Sequence, residues 1–216
     1  MEMPQQYLQQ NPNVGKILYY PGSGNDYSPL ELFLNNSTID FVIYADYGSE
    51  HFAPEEIVSH LHGWEITRSC ELYPEDFNQN SWENFWHGNP RSREFGNPVN
   101  AGGVKLILQN AQGKKVMFIY LRTDAVQTYK VLKDAGKTPN VIVIQDHGFG
   151  GNWTFFGGGE AEEDSPLYLL AVDSLPNYIL VGDGCTTPWN GYTAVTEAAE
   201  FQGMHVNNRT LYKLKR

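Results

Sequence analysis

Four acidic or imidazole side chains come directly after apolar runs of the sequence: Asp46, Asp146, His147 and Asp183. A histidine has an unperturbed pKa near neutrality, so His147, with Asp146 beside it, is a candidate general base. A carboxylate at the end of a strand can accept hydrogen bonds from ribose hydroxyls, which makes Asp46 a candidate cofactor ligand. We therefore take Asp146 and His147 as the candidate catalytic residues. The competing interpretation is a set of polar surface turns.

A glycine-containing loop, residues 20–26, precedes the first of these acids. Two glycines let the backbone turn sharply and approach a ligand closely, and the N–H groups of a helix that starts just afterwards can bind an anion. The acid that binds a ribose in such sites follows about twenty residues later. The candidate cofactor-binding residues are therefore Gly22, Ser23, Gly24, Asp26 and Asp46. A tight turn without a ligand is the alternative.

The same acids also allow a metal site. Carboxylates and imidazoles suit Mn, Fe, Zn or Mg, and a bound metal can activate water for the cleavage of a phosphoester. The ligand set would be Asp46, Asp146, His147 and Asp183, with His51 as a further candidate. This interpretation predicts a metal-dependent hydrolase that uses a divalent cation.

The elements that must position these residues alternate between apolar runs and helical stretches. Strands are expected over 16–20, 40–46, 64–73, 104–108, 116–121, 140–146 and 178–183. Helices are expected from Ser28, over 54–62, after Thr123 and from Ser165. Continuously apolar strands between helices are typical of a parallel sheet covered on both faces, and 104–121 is typical of a β-hairpin. The predicted fold class is α/β: a Rossmann-like three-layer sandwich, with a mainly parallel sheet and an antiparallel hairpin or edge strand.

Ligands of such sheets bind outside the carboxyl ends of the strands, where the candidate residues should meet. The helix after the glycine loop is expected to be capped by the hydroxyl of Ser28, with Pro29 in its first turn and Glu31 completing a capping box. These features place the loop and the start of this helix at the predicted site.

The chain of 216 residues suits one domain with a large core, because 41% of its residues are apolar. We expect a flexible arm at 1–15, a single domain over 16–216 and an irregular insertion at about 74–103. The glycine-rich segment 148–159 is expected to form a lid or an aromatic wall. Cys70 and Cys185 are expected to be reduced thiols.

The formal net charge of −10 argues against general nucleic-acid binding, because phosphate backbones are repelled. No apolar run approaches the ~18–20 residues that span a bilayer, and the polar N-terminus differs from a signal peptide. The sequence predicts a cytoplasmic protein with a small-molecule ligand and no membrane association. It leaves the oligomeric state open.

The order of strand, Pro-Gly-Ser-Gly loop, helix, strand and acid over residues 16–46 resembles class I S-adenosylmethionine-dependent methyltransferases. Gly22 and Gly24 match two glycines of the first family motif, and Asp46 matches the acid that holds the cofactor ribose. Tyr20 stands where that motif has an acid, and Asp26 where it has a third glycine. The resemblance implies a Rossmann-like fold, S-adenosylmethionine as cofactor and methyl transfer to an acceptor.

The resemblance also implies roles at the next strand end. Asp146 or His147 would orient and deprotonate the methyl acceptor, although these residues do not form the Asn/Asp-Pro-Pro-Tyr motif of the family. A third interpretation is a non-catalytic, degenerate Rossmann module that binds a nucleotide or a protein partner. Tyr20, in the place of the motif acid, favours that third interpretation.

Overall fold

The computed structural model describes residues 3–23, 26–46, 54–72, 102–122, 125–144, 173–182, 190–196, 199–200 and 208–216. Its helices are α1 (Pro4–Gln10), α2 (Ser28–Asn36), α3 (Pro54–His60) and α4 (Ala125–Asp134). Its strands are β1 (Ile17–Pro21), β2 (Phe41–Ala45), β3 (Trp64–Leu72), β4 (Gly102–Asn110), β5 (Lys115–Arg122), β6 (Val141–Ile144), β7 (Tyr178–Gly182), β8 (Tyr192–Ala194), β9 (Ala199–Glu200) and β10 (Asn208–Leu214).

The strands of the described part form one mixed sheet in the order β3-β4-β5-β2-β1-β6-β7-β10-β8, with β9 beside β10. The five central strands, in the order β5-β2-β1-β6-β7, run parallel to one another. Both flanks are antiparallel. The prediction of a mainly parallel sheet therefore holds only for the centre. A single antiparallel hairpin or edge strand was predicted, but antiparallel strands extend the sheet on both sides.

Helices cover both faces of the sheet, in agreement with an α/β architecture. Successive side chains of a strand point to opposite faces, so neighbouring residues of β1 belong to different cores. Tyr20 packs in the core beneath α1, α2 and α3. Tyr19 packs in the core beneath α4, where its hydroxyl donates to the carbonyl oxygen of Ala125 at 2.5 Å.

The N-terminal segment is not a loose arm over its described length. Residues 4–10 form α1, whose Tyr7 and Leu8 are buried against the sheet. This helix was hard to recognise from the sequence, because the segment is polar and has few apolar residues. After α1 the chain enters β1 through Gly15, which has a φ of +120°.

A side-chain clip fixes this entry into the sheet. The Oδ1 atom of Asn140, just before β6, accepts hydrogen bonds from the backbone N–H groups of Lys16 at 2.9 Å and Ile17 at 3.0 Å. A Cβ atom placed on Gly15 would lie 2.3 Å from the Cβ of Asn140. Only a residue without a side chain fits there without displacing the clip.

The hairpin expected at 104–121 is confirmed as β4 and β5, which pair antiparallel. The strand expected at 64–73 is present as β3, but it pairs antiparallel with β4 at the edge of the sheet. Of the insertion expected at about 74–103, residues 74–101 lie outside the described residues, and 102–103 belong to β4. The glycine-rich segment 148–159 also lies outside the described residues. Among the described helices, none has the length and apolar character needed to cross a membrane.

Candidate functional site

The backbone turn after β1 is held against the end of β2. The N–H of Gly22 donates to the carbonyl oxygen of Ala45 at 2.8 Å, which extends the parallel ladder by one bond. Gly22 has a φ of +61°, a left-handed conformation that glycine adopts without steric cost. The chain then turns over Ser23, whose carbonyl oxygen accepts from the N–H of Asp26 at 3.1 Å.

Asp46 follows directly on this ladder. Its N–H donates to the carbonyl oxygen of Leu121 in β5 at 3.0 Å, so its backbone is tied to the strand on its other side. The residue is 9% exposed. Asp46 is thus fixed at the carboxyl edge, beside the turn at Gly22.

Asp26 is the centre of a buried polar network. Its Oδ2 atom accepts from the hydroxyl of Tyr20 at 2.7 Å and forms a short ion pair with the Nη2 atom of Arg209. Its Oδ1 atom accepts from the hydroxyl of Ser28 at 2.6 Å, and the Nη1 atom of Arg209 donates to that hydroxyl at 3.0 Å. The hydroxyl of Tyr44 donates to the main-chain oxygen of Asp26 at 3.0 Å. Four side chains therefore hold this one loop residue.

The start of α2 differs from the expected cap. Ser28 is the first residue of the helix, and Tyr27, the residue before it, makes no capping bond from its side chain. The Oδ1 atom of Asp26 accepts instead from the N–H of Ser28 at 3.2 Å. An Asp side chain readily accepts from the backbone two residues on, so Asp26, two positions before the helix, provides the carboxylate. Both the N–H and the hydroxyl of Ser28 donate to it.

Arg209 reaches this loop from the antiparallel strand β10. Because β10 runs opposite to the central strands, its first residues lie at their carboxyl edge, where Arg209 is in register with Gly182, the last residue of β7. Its side chain is 2% exposed. Arg209 is not among the residues predicted from the sequence, because those candidates all follow strands. One sequence feature could have indicated it: Arg209 is two residues from the apolar Leu211, so in a strand both side chains point to the same face.

The charges of this network favour its ionised form. Burial alone would raise the pKa of Asp26, but the Arg209 guanidinium, with hydrogen bonds from Ser28 and Tyr20, outweighs burial and holds that pKa below its ordinary value. Burial and then the charge of Asp26 raise the pKa of Tyr20 far above 10, and Asp46 adds to that effect. Tyr20 is therefore a neutral donor, and Asp46 is close enough to act on it.

The lowered pKa of Asp26 makes stability depend on acidity. A carboxylate whose pKa is lower in the folded protein contributes stability above the ordinary Asp pKa of about 3.9, and this contribution is lost as the pH falls through the folded value. We expect the free energy of unfolding in urea to fall more steeply below pH ~4 for the wild type than for Asp26→Asn. Parallel curves for the two proteins would contradict the assignment.

The structure brings together four of the predicted site residues. Gly22, Ser23, Asp26 and Asp46 lie around the ends of β1 and β2. The remaining candidates lie outside the described residues: Gly24, His51, Asp146, His147 and Asp183. Within the described part of the chain, no group of three or more His, Cys, Asp or Glu side chains is arranged to hold a metal ion.

Comparison with known proteins adds one structural likeness. No family model matches the chain, and no curated protein matches it in sequence. An rRNA methylase structure from Streptococcus thermophilus is similar with a TM-score of 0.40 and 8% identity, covering 99% of this chain and 95% of that one. A likeness at that TM-score does not establish a shared activity.

Proposed function

We propose that this protein binds a ribose-bearing small molecule of the S-adenosylmethionine type at the carboxyl edge of its sheet, with Asp46 as the acceptor for the ribose hydroxyls. The observation that carries the proposal is the placement of Asp46: a nearly buried carboxylate at the end of β2, next to the left-handed turn at Gly22. A carboxylate in this place is suited to accept hydrogen bonds from vicinal hydroxyls.

The strand order supports this location. Counted along the chain, the five parallel strands lie in the order 3-2-1-4-5, which is the order of doubly wound nucleotide-binding sheets. The order reverses between β1 and β6, and ligands of such sheets bind outside the carboxyl ends at that point. The loop after β1 borders it directly. Asp146 and His147, which follow β6 in the sequence, are the proposed groups that orient and deprotonate a methyl acceptor.

The proposal is tested by calorimetry with S-adenosylhomocysteine. We expect saturable binding to the wild type and a loss of about 10-fold or more in Asp46→Asn, because two charge-assisted hydrogen bonds would weaken without a change in shape. Asp40→Asn is the matched control: it removes the same charge from an exposed residue at the other end of β2, where Asp40 pairs with Lys16. Absence of binding at millimolar ligand, or equal binding by both variants, would refute the proposal.

Two alternatives from the sequence are distinguished from this proposal by other measurements. A non-catalytic module would bind the ligand without turning over any methyl acceptor. A metal-dependent hydrolase rests on Asp146, His147 and Asp183, which lie outside the described residues, and stays a prediction. Metal analysis of the purified protein and the effect of a chelator distinguish it from the first proposal.

A further inference from the structure

The position that would receive a ligand phosphate is filled by a side chain of the protein itself. The first turn of a helix attracts anions through its free N–H groups and its dipole. In α2 the N–H of the first residue, Ser28, donates to the carboxylate of Asp26, and so does its hydroxyl. An internal anion therefore stands where sheets of this kind place a phosphate.

This internal anion is built to stay in place. Arg209 contacts the same carboxylate and the hydroxyl of Ser28, and it comes from a strand on the far side of β6 and β7. The hydroxyl of Tyr20 also donates to this carboxylate, and the side chain of Asp26 is 9% exposed. A ligand phosphate would have to displace these partners or lie beside a carboxylate.

A second carboxylate lies at the same edge. Asp46 acts electrostatically on the hydroxyl of Tyr20, which is bonded to Asp26. A phosphate brought near this edge would meet two carboxylates and one guanidinium that is already paired with one of them. An uncharged or positively charged ligand meets no such repulsion.

From this arrangement we infer that Asp26, held by Arg209, is a specificity-determining residue that excludes phosphorylated ligands, so that the site takes a nucleoside without phosphate rather than a nucleotide or dinucleotide. The inference rests on the proposed function, since it concerns the ligand of the same edge. It assigns Asp26 to ligand selection, in place of the direct cofactor contact expected from the sequence.

The test compares adenosine with adenosine 5′-monophosphate, which differ only in the phosphate, by calorimetry on the full chain. We expect the wild type to bind the monophosphate about 10-fold or more weakly than adenosine. In Asp26→Asn the gap should close, because the repelling carboxylate is gone while the charge of Arg209 remains. Asp40→Asn removes the same charge elsewhere and should keep the wild-type gap.

A measurement on the wild type alone covers the case in which Asp26→Asn does not fold. Raising the salt concentration should narrow the gap between the two ligands, because screening weakens repulsion between charges. Equal binding of both ligands by the wild type at low salt concentration would overturn the inference and leave the proposed function intact. Failure of adenosine to bind would overturn the inference, and failure of S-adenosylhomocysteine to bind as well would overturn the proposed function with it.

Discussion

Replacing Arg209 by methionine should lower the free energy of unfolding by about 3–5 kcal/mol, because it leaves the buried carboxylate of Asp26 without its counter-ion. Arg209 is 2% exposed, so water cannot take over its role. For a chain of this size the loss corresponds to a fall of roughly 10 °C in Tm. Urea and thermal unfolding of the purified variant measure both quantities.

The double variant Asp26→Asn/Arg209→Met separates the ion pair from the packing of the arginine stem. Removing both charges should restore part of the stability lost in Arg209→Met, since no uncompensated buried charge remains. A cost below about 1 kcal/mol for the single variant is the range of exposed ion pairs, and it would contradict the burial of this pair.

Replacing Gly15 by alanine should cost about 3–5 kcal/mol, for two reasons that add. The residue has a φ of +120°, where a side chain is strained. The new Cβ would lie 2.3 Å from the Cβ of Asn140, so the clip that holds the N–H groups of Lys16 and Ile17 must shift. Urea unfolding measures the change.

Gly136→Ala is the matched control for this prediction. Gly136 also has a positive φ, +68°, but no atom lies within 4 Å of the position that its Cβ would take. It should cost only about 1 kcal/mol, the penalty of the left-handed conformation alone. Equal losses in the two variants would show that the contact with Asn140 does not matter.

Much of the central sheet could be predicted from the sequence, because its strands are short apolar runs bounded by turn residues. Val141–Ile144 and Tyr178–Gly182 are buried throughout, as expected for strands covered on both faces. The direction of pairing at the edges was not predictable in the same way. Trp64–Leu72 is recognisable as a strand, yet only its partner β4 decides that it runs antiparallel.

The candidate site was predictable where it depends on local order along the chain. The turn at Gly22 and the acid at Asp46 belong to one strand-loop-helix-strand unit, so their proximity follows from the unit itself. The ion pair between Asp26 and Arg209 joins residues that are 183 positions apart. No local pattern specifies such a partner, and Asp26 was therefore interpreted as a ligand contact rather than as half of a buried pair.

The distance along the chain between Asp26 and Arg209 also sets an order of folding events. Contacts between distant residues form late, because a long loop must close before they contribute stability. The hydrogen bond of Gly22 to Ala45 in β2 joins residues much closer in sequence, so this ladder can form early. The loop around Asp26 then acquires its final shape only when β10 docks on β7. In a folding intermediate with a complete parallel core but an undocked β10, Asp26 would lack its ion pair with Arg209, on which the proposed selectivity depends.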